Sequence, residues 1–281
     1  MGLRLDIAVA VELGRVFWSH VCRWPDLALA ETGFAHSRSH LSLGSGWSRS
    51  WSASASFRGD QVVVPVRDLA SLPLVGREPM RRFSWSRAQR HRPGLEFLVS
   101  TGRLHGFESL AESRLLLMLD FAGELNDVLS QPMKLQFQTS DGPREHIPDF
   151  YADTRSGRWL IDVRPAGRIA ARDEVAFAAT AEVALLLGWG YVVVTGWRQP
   201  AEATVDAFSA QRRPLADPLG IAAQLLDDVG EGSRPFGELA AATSAPVIGR
   251  AFLLHLLWHR RLGMDLSAPL TDRTLVTGAV R

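Results

Sequence analysis

The stretch HIPDFYADTRSGRWLIDVRPAGR, residues 146–168, decides how the rest of the chain is read. EHIPDFYAD and RWLIDVRP read as β-strands, and the TRSG between them is a hairpin signal. A tight turn at Arg155 and Ser156 sets Asp149 on one arm opposite Asp162 on the other. Side chains two apart on a strand share a face, so Arg164 points the same way as Asp162. Two carboxylates aimed at one point repel each other unless a proton or a divalent cation lies between them. Mg²⁺, or Mn²⁺ in its place, is commonly held by one or two carboxylates, several waters and a substrate phosphate. Such an ion lowers the pKa of a bound water and neutralises charge on phosphoryl oxygens. The competing reading is an ordinary hairpin with an exposed aspartate on each arm.

Working outward, GFESLAESRLLLMLDF has the wide apolar stripe of a helix packed on a sheet. Glu112 sits near its start, with Glu108 four residues earlier, and from there it can lean over a sheet edge. A glutamate in the first turn is also what the helix dipole favours. QPMKLQFQTSDG reads as a short alternating strand ending in a turn. RDEVAFAATAEVALLLGWG reads as an amphipathic helix closed by glycine, and YVVVTG as a fully apolar strand. Helix, three strands, helix, strand is a mixed α/β unit, which we bound at residues 58–214, with QVVVPVRDL near its start as a further strand. Residues 1–57 lack sustained periodicity and read as a poorly defined leader. Beyond SAQRRPLADPLG the pattern gives three helices and a small hairpin, a winged-helix-like domain over residues 215–281.

Composition narrows the function classes. The 281 residues are 46% hydrophobic and 22% charged, as in a globular protein, and the net charge of +1 announces no global basic field. Lys134 is the only lysine, so an arginine where lysine is expected carries less information here than usual. Cys22 is the only cysteine, which excludes an intramolecular disulfide and a cysteine-based zinc site. No uncharged run is long enough to span a membrane, and a cytoplasmic protein is the expectation.

Pro148-Asp149 followed by Asp162-Val163-Arg164 resembles the PD-(D/E)XK pattern of nucleases with a restriction-endonuclease-like fold. More narrowly, FESLAESRLLLMLDFAGELNDVLSQP, HIPDF and LIDVRPAGRI resemble the TnsA-like endonuclease subunits of heteromeric transposases. The resemblance covers roughly residues 61–215. It implies Glu112, Asp149 and Asp162 as metal ligands, Arg164 at the position of the catalytic lysine, and Mg²⁺ as cofactor. It also implies cutting of the non-transferred strands at transposon 5′ ends, with a DDE-type transposase and an ATPase regulator as partners. Arg164 departs from the pattern: it keeps the charge and can clamp a phosphate, but it cannot act as a base. Lys134, on the preceding strand, is a conceivable substitute.

Phosphate contacts are expected from the arginine-rich stretch between Arg81 and Arg92, from Arg168 and Arg172 beside the site, and from Arg212 and Arg213. His146 reads as a strand residue near the site. His255 and His259 have the helical spacing of two metal ligands but lack a third. Two other functional readings stay open: an inactive DNA-binding or assembly subunit, and a stand-alone defence or repair nuclease.

Overall fold

The computed structural model describes residues 16–73, 77–81, 93–165, 167–230 and 232–279. The chain divides into two compact units, one of Ala28–Trp197 and one that joins Met1–Leu27 to Arg198–Arg281. Both are α/β among the described residues, and no helix there is long and apolar enough to cross a membrane.

The first unit is built on a five-stranded mixed sheet. Its strands run in the order Ala28–Glu31, Gly190–Trp197, Gly157–Val163, Phe150–Thr154, Leu125–Ser130. Gly157–Val163 and Gly190–Trp197 pair in parallel, and every other neighbour is antiparallel. A parallel pair needs a long crossover, which the helix Ala171–Leu187 provides, ending at Gly188 with a left-handed φ of 68°. The hairpin turns at Arg155 and Ser156 as the sequence suggests, with Thr154 opposite Gly157 and Phe150 opposite Ile161.

A second sheet takes Asp60–Pro65, Ser52–Phe57, Lys134–Thr139 and Gly142–His146 in that order, with Arg77–Glu78 at its edge. The crossover helix lies between the two sheets. Its Phe177, Ala178 and Val183 share one buried core with Trp51, Leu135 and Phe137 of the second sheet or its approach, and with Tyr151, Leu160 and Val193 of the first. The helix Leu110–Phe121 packs instead on the hairpin Gly94–Leu98 and Arg103–Phe107 and on the Gly157–Val163 strand.

Two expectations change. EHIPDFYAD is not one strand: Pro148 interrupts it, and Gly142–His146 and Phe150–Thr154 belong to different sheets. Leu125–Ser130 is a strand that the sequence reading passed over. The unit boundaries also differ from 58 and 214. Residues 28–57 supply two sheet strands rather than a leader, and Ala201–Ser209 belongs with the C-terminal unit, where it packs on Pro246–Trp258.

The second unit holds the helices Ala201–Ser209, Ile221–Val229, Phe236–Ala242 and Pro246–Trp258 and a three-stranded sheet of Ser233–Pro235, Leu275–Gly278 and Leu262–Gly263. The N-terminal segment completes it. Trp18 bridges to Asp265, Ser19 N–H donates to Met264 O at 2.9 Å, and the Arg260 guanidinium donates to the carbonyls of His20 (3.2 Å) and Cys22 (2.7 Å).

Candidate active site

Asp149 stands one residue before the Phe150–Thr154 strand, where continuing the hairpin register puts it opposite Asp162. One carboxylate oxygen accepts from Val163 N–H at 2.7 Å, so Asp149 reaches across to the other arm. Its own carbonyl accepts from Gln131 N–H at 2.7 Å. Gln131, in the SQP stretch, holds a left-handed φ of 47°, which aims that N–H at Asp149.

Glu112 arrives from the helix Leu110–Phe121. Ser109 caps that helix by accepting from Glu112 N–H at 3.3 Å, while the Glu112 carboxylate accepts from Glu108 N–H at 2.8 Å and from Ser109 Oγ–H at 2.9 Å. This is close to a capping box, and it fixes the side chain at the helix mouth. Glu112, Asp149 and Arg164 line one cleft of about 660 Å³, together with Glu108, His146, Arg81 and Arg168. Burial, then the charges of Asp162 and Glu112, push the Asp149 carboxyl well above its ordinary pKa, against the pull of the Val163 N–H.

Asp162 is 1% exposed and already engaged. His146 Nε2–H lies 3.0 and 3.1 Å from its two oxygens, and Tyr191 O–H donates to Oδ2 at 2.8 Å. Burial lowers the His146 pKa, but the charge and hydrogen bond of Asp162 outweigh it and the net direction is up. Burial and the Asp162 charge hold the Tyr191 hydroxyl well above its ordinary pKa. The sequence reading undervalued His146 and missed Tyr191. A tyrosine opening an otherwise apolar strand was the one available signal.

Arg164 continues the parallel ladder, its N–H donating to Val194 O at 2.9 Å, and its buried Nε has no hydrogen-bond partner among the described residues. A buried guanidinium N–H without an acceptor, in a cleft of carboxylates, is placed for an anionic oxygen. Among the described residues, no three His, Cys, Asp or Glu side chains are placed to enclose a metal ion. Mg²⁺ asks for less, since one or two carboxylates plus waters suffice. Glu112 and Asp149 are two carboxylates lining that cleft, each already accepting a backbone N–H, and a cation between them would relieve the repulsion that raises Asp149.

The other expected residues scatter. Arg168 lines the cleft and is exposed. Arg172 is 85% exposed and 3.8 Å from Asp173. Lys134 pairs with Glu145 at 3.4 Å and is not among the residues lining the cleft. Arg212 and Arg213 belong to the other unit, where Arg212 Nη1–H donates to Ser209 O at 3.0 Å. His255 Nδ1–H and His259 Nε2–H donate to the carbonyls of Gln211 (2.8 Å) and Arg212 (3.1 Å), a stapling role. Of the arginine-rich stretch, only Arg81 is within the described residues; the remainder lies outside them. No protein-family model matches the chain, and no curated protein is significantly similar to it.

Proposed function

We propose that the chain is a Mg²⁺-dependent DNA endonuclease of the PD-(D/E)XK type, working as the TnsA-like subunit of a heteromeric transposase. The observation that carries this reading is the meeting of Glu112, Asp149 and Arg164 in one cleft, from a helix mouth and the two arms of a hairpin. The mixed sheet with its crossover helix supports a restriction-endonuclease-like core. The order helix, strand, helix, helix, strand, strand over residues 221–278 supports a winged-helix-like C-terminal unit. DNA, a DDE-type transposase and an ATPase regulator enter as partners through the sequence resemblance.

In this reading Glu112 and Asp149 hold the cation directly. Mg²⁺ there would supply charge neutralisation and a water of lowered pKa. Asp162 stands behind them and orients His146. Arg164 binds a phosphoryl oxygen through its unpaired Nε–H and keeps its proton throughout. Calorimetric titration of Mn²⁺ and Mg²⁺ into the wild type and Asp149→Asn tests the ligand assignment, and nicking of supercoiled DNA tests the chemistry. The expected result is metal binding by the wild type that the Asp149→Asn substitution abolishes.

One observation favours a second reading. Asp162 is fully engaged by His146 and Tyr191, which suits an assembly or DNA-binding subunit with a disused centre. Absence of metal binding by the wild type at millimolar cation with DNA present would establish that alternative.

A further inference from the structure

A second cleft, of about 300 Å³, runs beside the Leu125–Ser130 strand and is lined by Arg77, Arg103, His105, Asp127 and Tyr151, among others. Arg103 and Asp127 pair with each other. His105 meets Thr101 Oγ1 at 2.7 Å, and burial pushes its pKa down, towards the neutral ring. Arg77 has no such counterpart. Its Nε–H donates to Pro73 O at 2.9 Å, and Nη2 donates to Leu72 O at 2.9 Å and Leu69 O at 3.5 Å. Neutral carbonyls therefore fix the guanidinium in place, and no carboxylate among the described residues pairs with it. Burial lowers its pKa, and the nearby charge of Arg158 acts in the same direction.

Tyr151 presents the complementary need. It is 2% exposed, and its buried hydroxyl has no hydrogen-bond partner among the described residues. Burial raises its pKa to about 12, and Arg158, Asp153, Arg77 and Asp127 all stand near enough for their charges to act on it. Arg77 is half-buried and Tyr151 wholly so; cations drawn out of water are normally paired and buried hydroxyls normally bonded. A phosphate oxygen meets both needs: it accepts from the tyrosine O–H and neutralises a guanidinium whose fork suits it.

We propose that this cleft is a second phosphate subsite, taking a phosphodiester of the DNA strand that enters the Glu112–Asp149 cleft. The DNA source rests on the endonuclease reading; the anion site itself does not. Arg77 lines one cleft and Arg81 the other. Four peptide units keep their Cα atoms within about 14 Å, which is the rise of about four nucleotides at roughly 3.4 Å each. Met80 N–H donates to Gln131 O at 3.0 Å, and Gln131 N–H donates to Asp149 O, which ties this segment to the metal-side aspartate.

Tyr151→Phe tests it, because it deletes only the hydroxyl. With a fluorescein-labelled DNA duplex and Ca²⁺ in place of Mg²⁺, the variant should bind about ten-fold more weakly by anisotropy. Its melting temperature without ligand should hold or rise, since an unbonded buried group has gone, which separates lost binding from lost folding. Inorganic phosphate should raise the melting temperature of the wild type and not of Tyr151→Phe. Equal duplex affinities together with no protection by phosphate would overturn the proposal. Phosphate protection with unchanged duplex affinity would assign the cleft to a small free anion and overturn the DNA source. A wild type that binds no metal, yet loses duplex affinity on Tyr151→Phe, would sink the endonuclease reading and leave the subsite standing.

Discussion

Ionising Asp149 works against the fold, because burial and the charges of Asp162 and Glu112 oppose it. Its folded pKa lies above the unfolded value near 3.9. Its contribution to stability is therefore whole below about pH 4 and is lost as pH climbs through the raised value. His146 acts in the same direction: its folded pKa exceeds the ordinary value near 6.5, so its contribution fades as pH rises past that point. Metal-free protein should accordingly melt lower as pH rises above about 4, first through the Asp149 loss and then, above about 6.5, through that of His146. Asp149→Asn should flatten that slope, and Mn²⁺ should restore the wild type most at the alkaline end. Melting curves that superimpose for the two proteins would remove Asp149 from the account. The pairing of Asp149 with Asp162 was legible in the sequence because a hairpin is local and its side chains alternate with period two. Tyr191 was not, because its approach to Asp162 depends on a parallel pairing made through a helix, and no local spacing encodes that.

The helix that carries Glu112 depends on its cap. Ser109→Ala should cost about 1 kcal/mol in denaturant melts, and it also removes the Oγ–H that donates to the Glu112 carboxylate. Weaker Mn²⁺ binding by calorimetry should accompany the loss of stability. Unchanged metal affinity would confine Glu112 to capping. In the parallel pair, Gly190 lies opposite Trp159, and a Cβ there would collide with the indole. Gly190→Ala should therefore cost about 1–3 kcal/mol, measured by chemical denaturation, and disturb the register that sets Asp162 opposite Val193. Strands of this kind were legible where β-branched residues ran together, as in YVVVTG. SASASF at Ser52–Phe57 was not, since small side chains carry little intrinsic strand signal. It is a strand because Asp60–Pro65 and Lys134–Thr139 pair with it on either side and Ala53 and Ala55 are buried.

Over the whole molecule, the division at Trp197 and Arg198 leads us to expect two thermal transitions by scanning calorimetry. Removing residues 1–27 should lower one of them, since Trp18, Ser19, His20 and Cys22 all bond within the C-terminal unit. A chain so shortened that melts like the full one would refute this. The proline and arginine cluster near residue 214 drew the expected boundary too late, because a loop's composition says nothing about which helix packs on which. The return of the first segment to the last unit was equally hidden, as no pattern links residues so distant. That return has a consequence for synthesis. Cys22 and its partner Arg260 are 238 residues apart, and at about 5–20 residues per second the ribosome needs roughly 12–48 s to make the second after the first. For that time Trp24 and Leu27, buried in the finished protein, stand on the nascent chain without the unit they belong to.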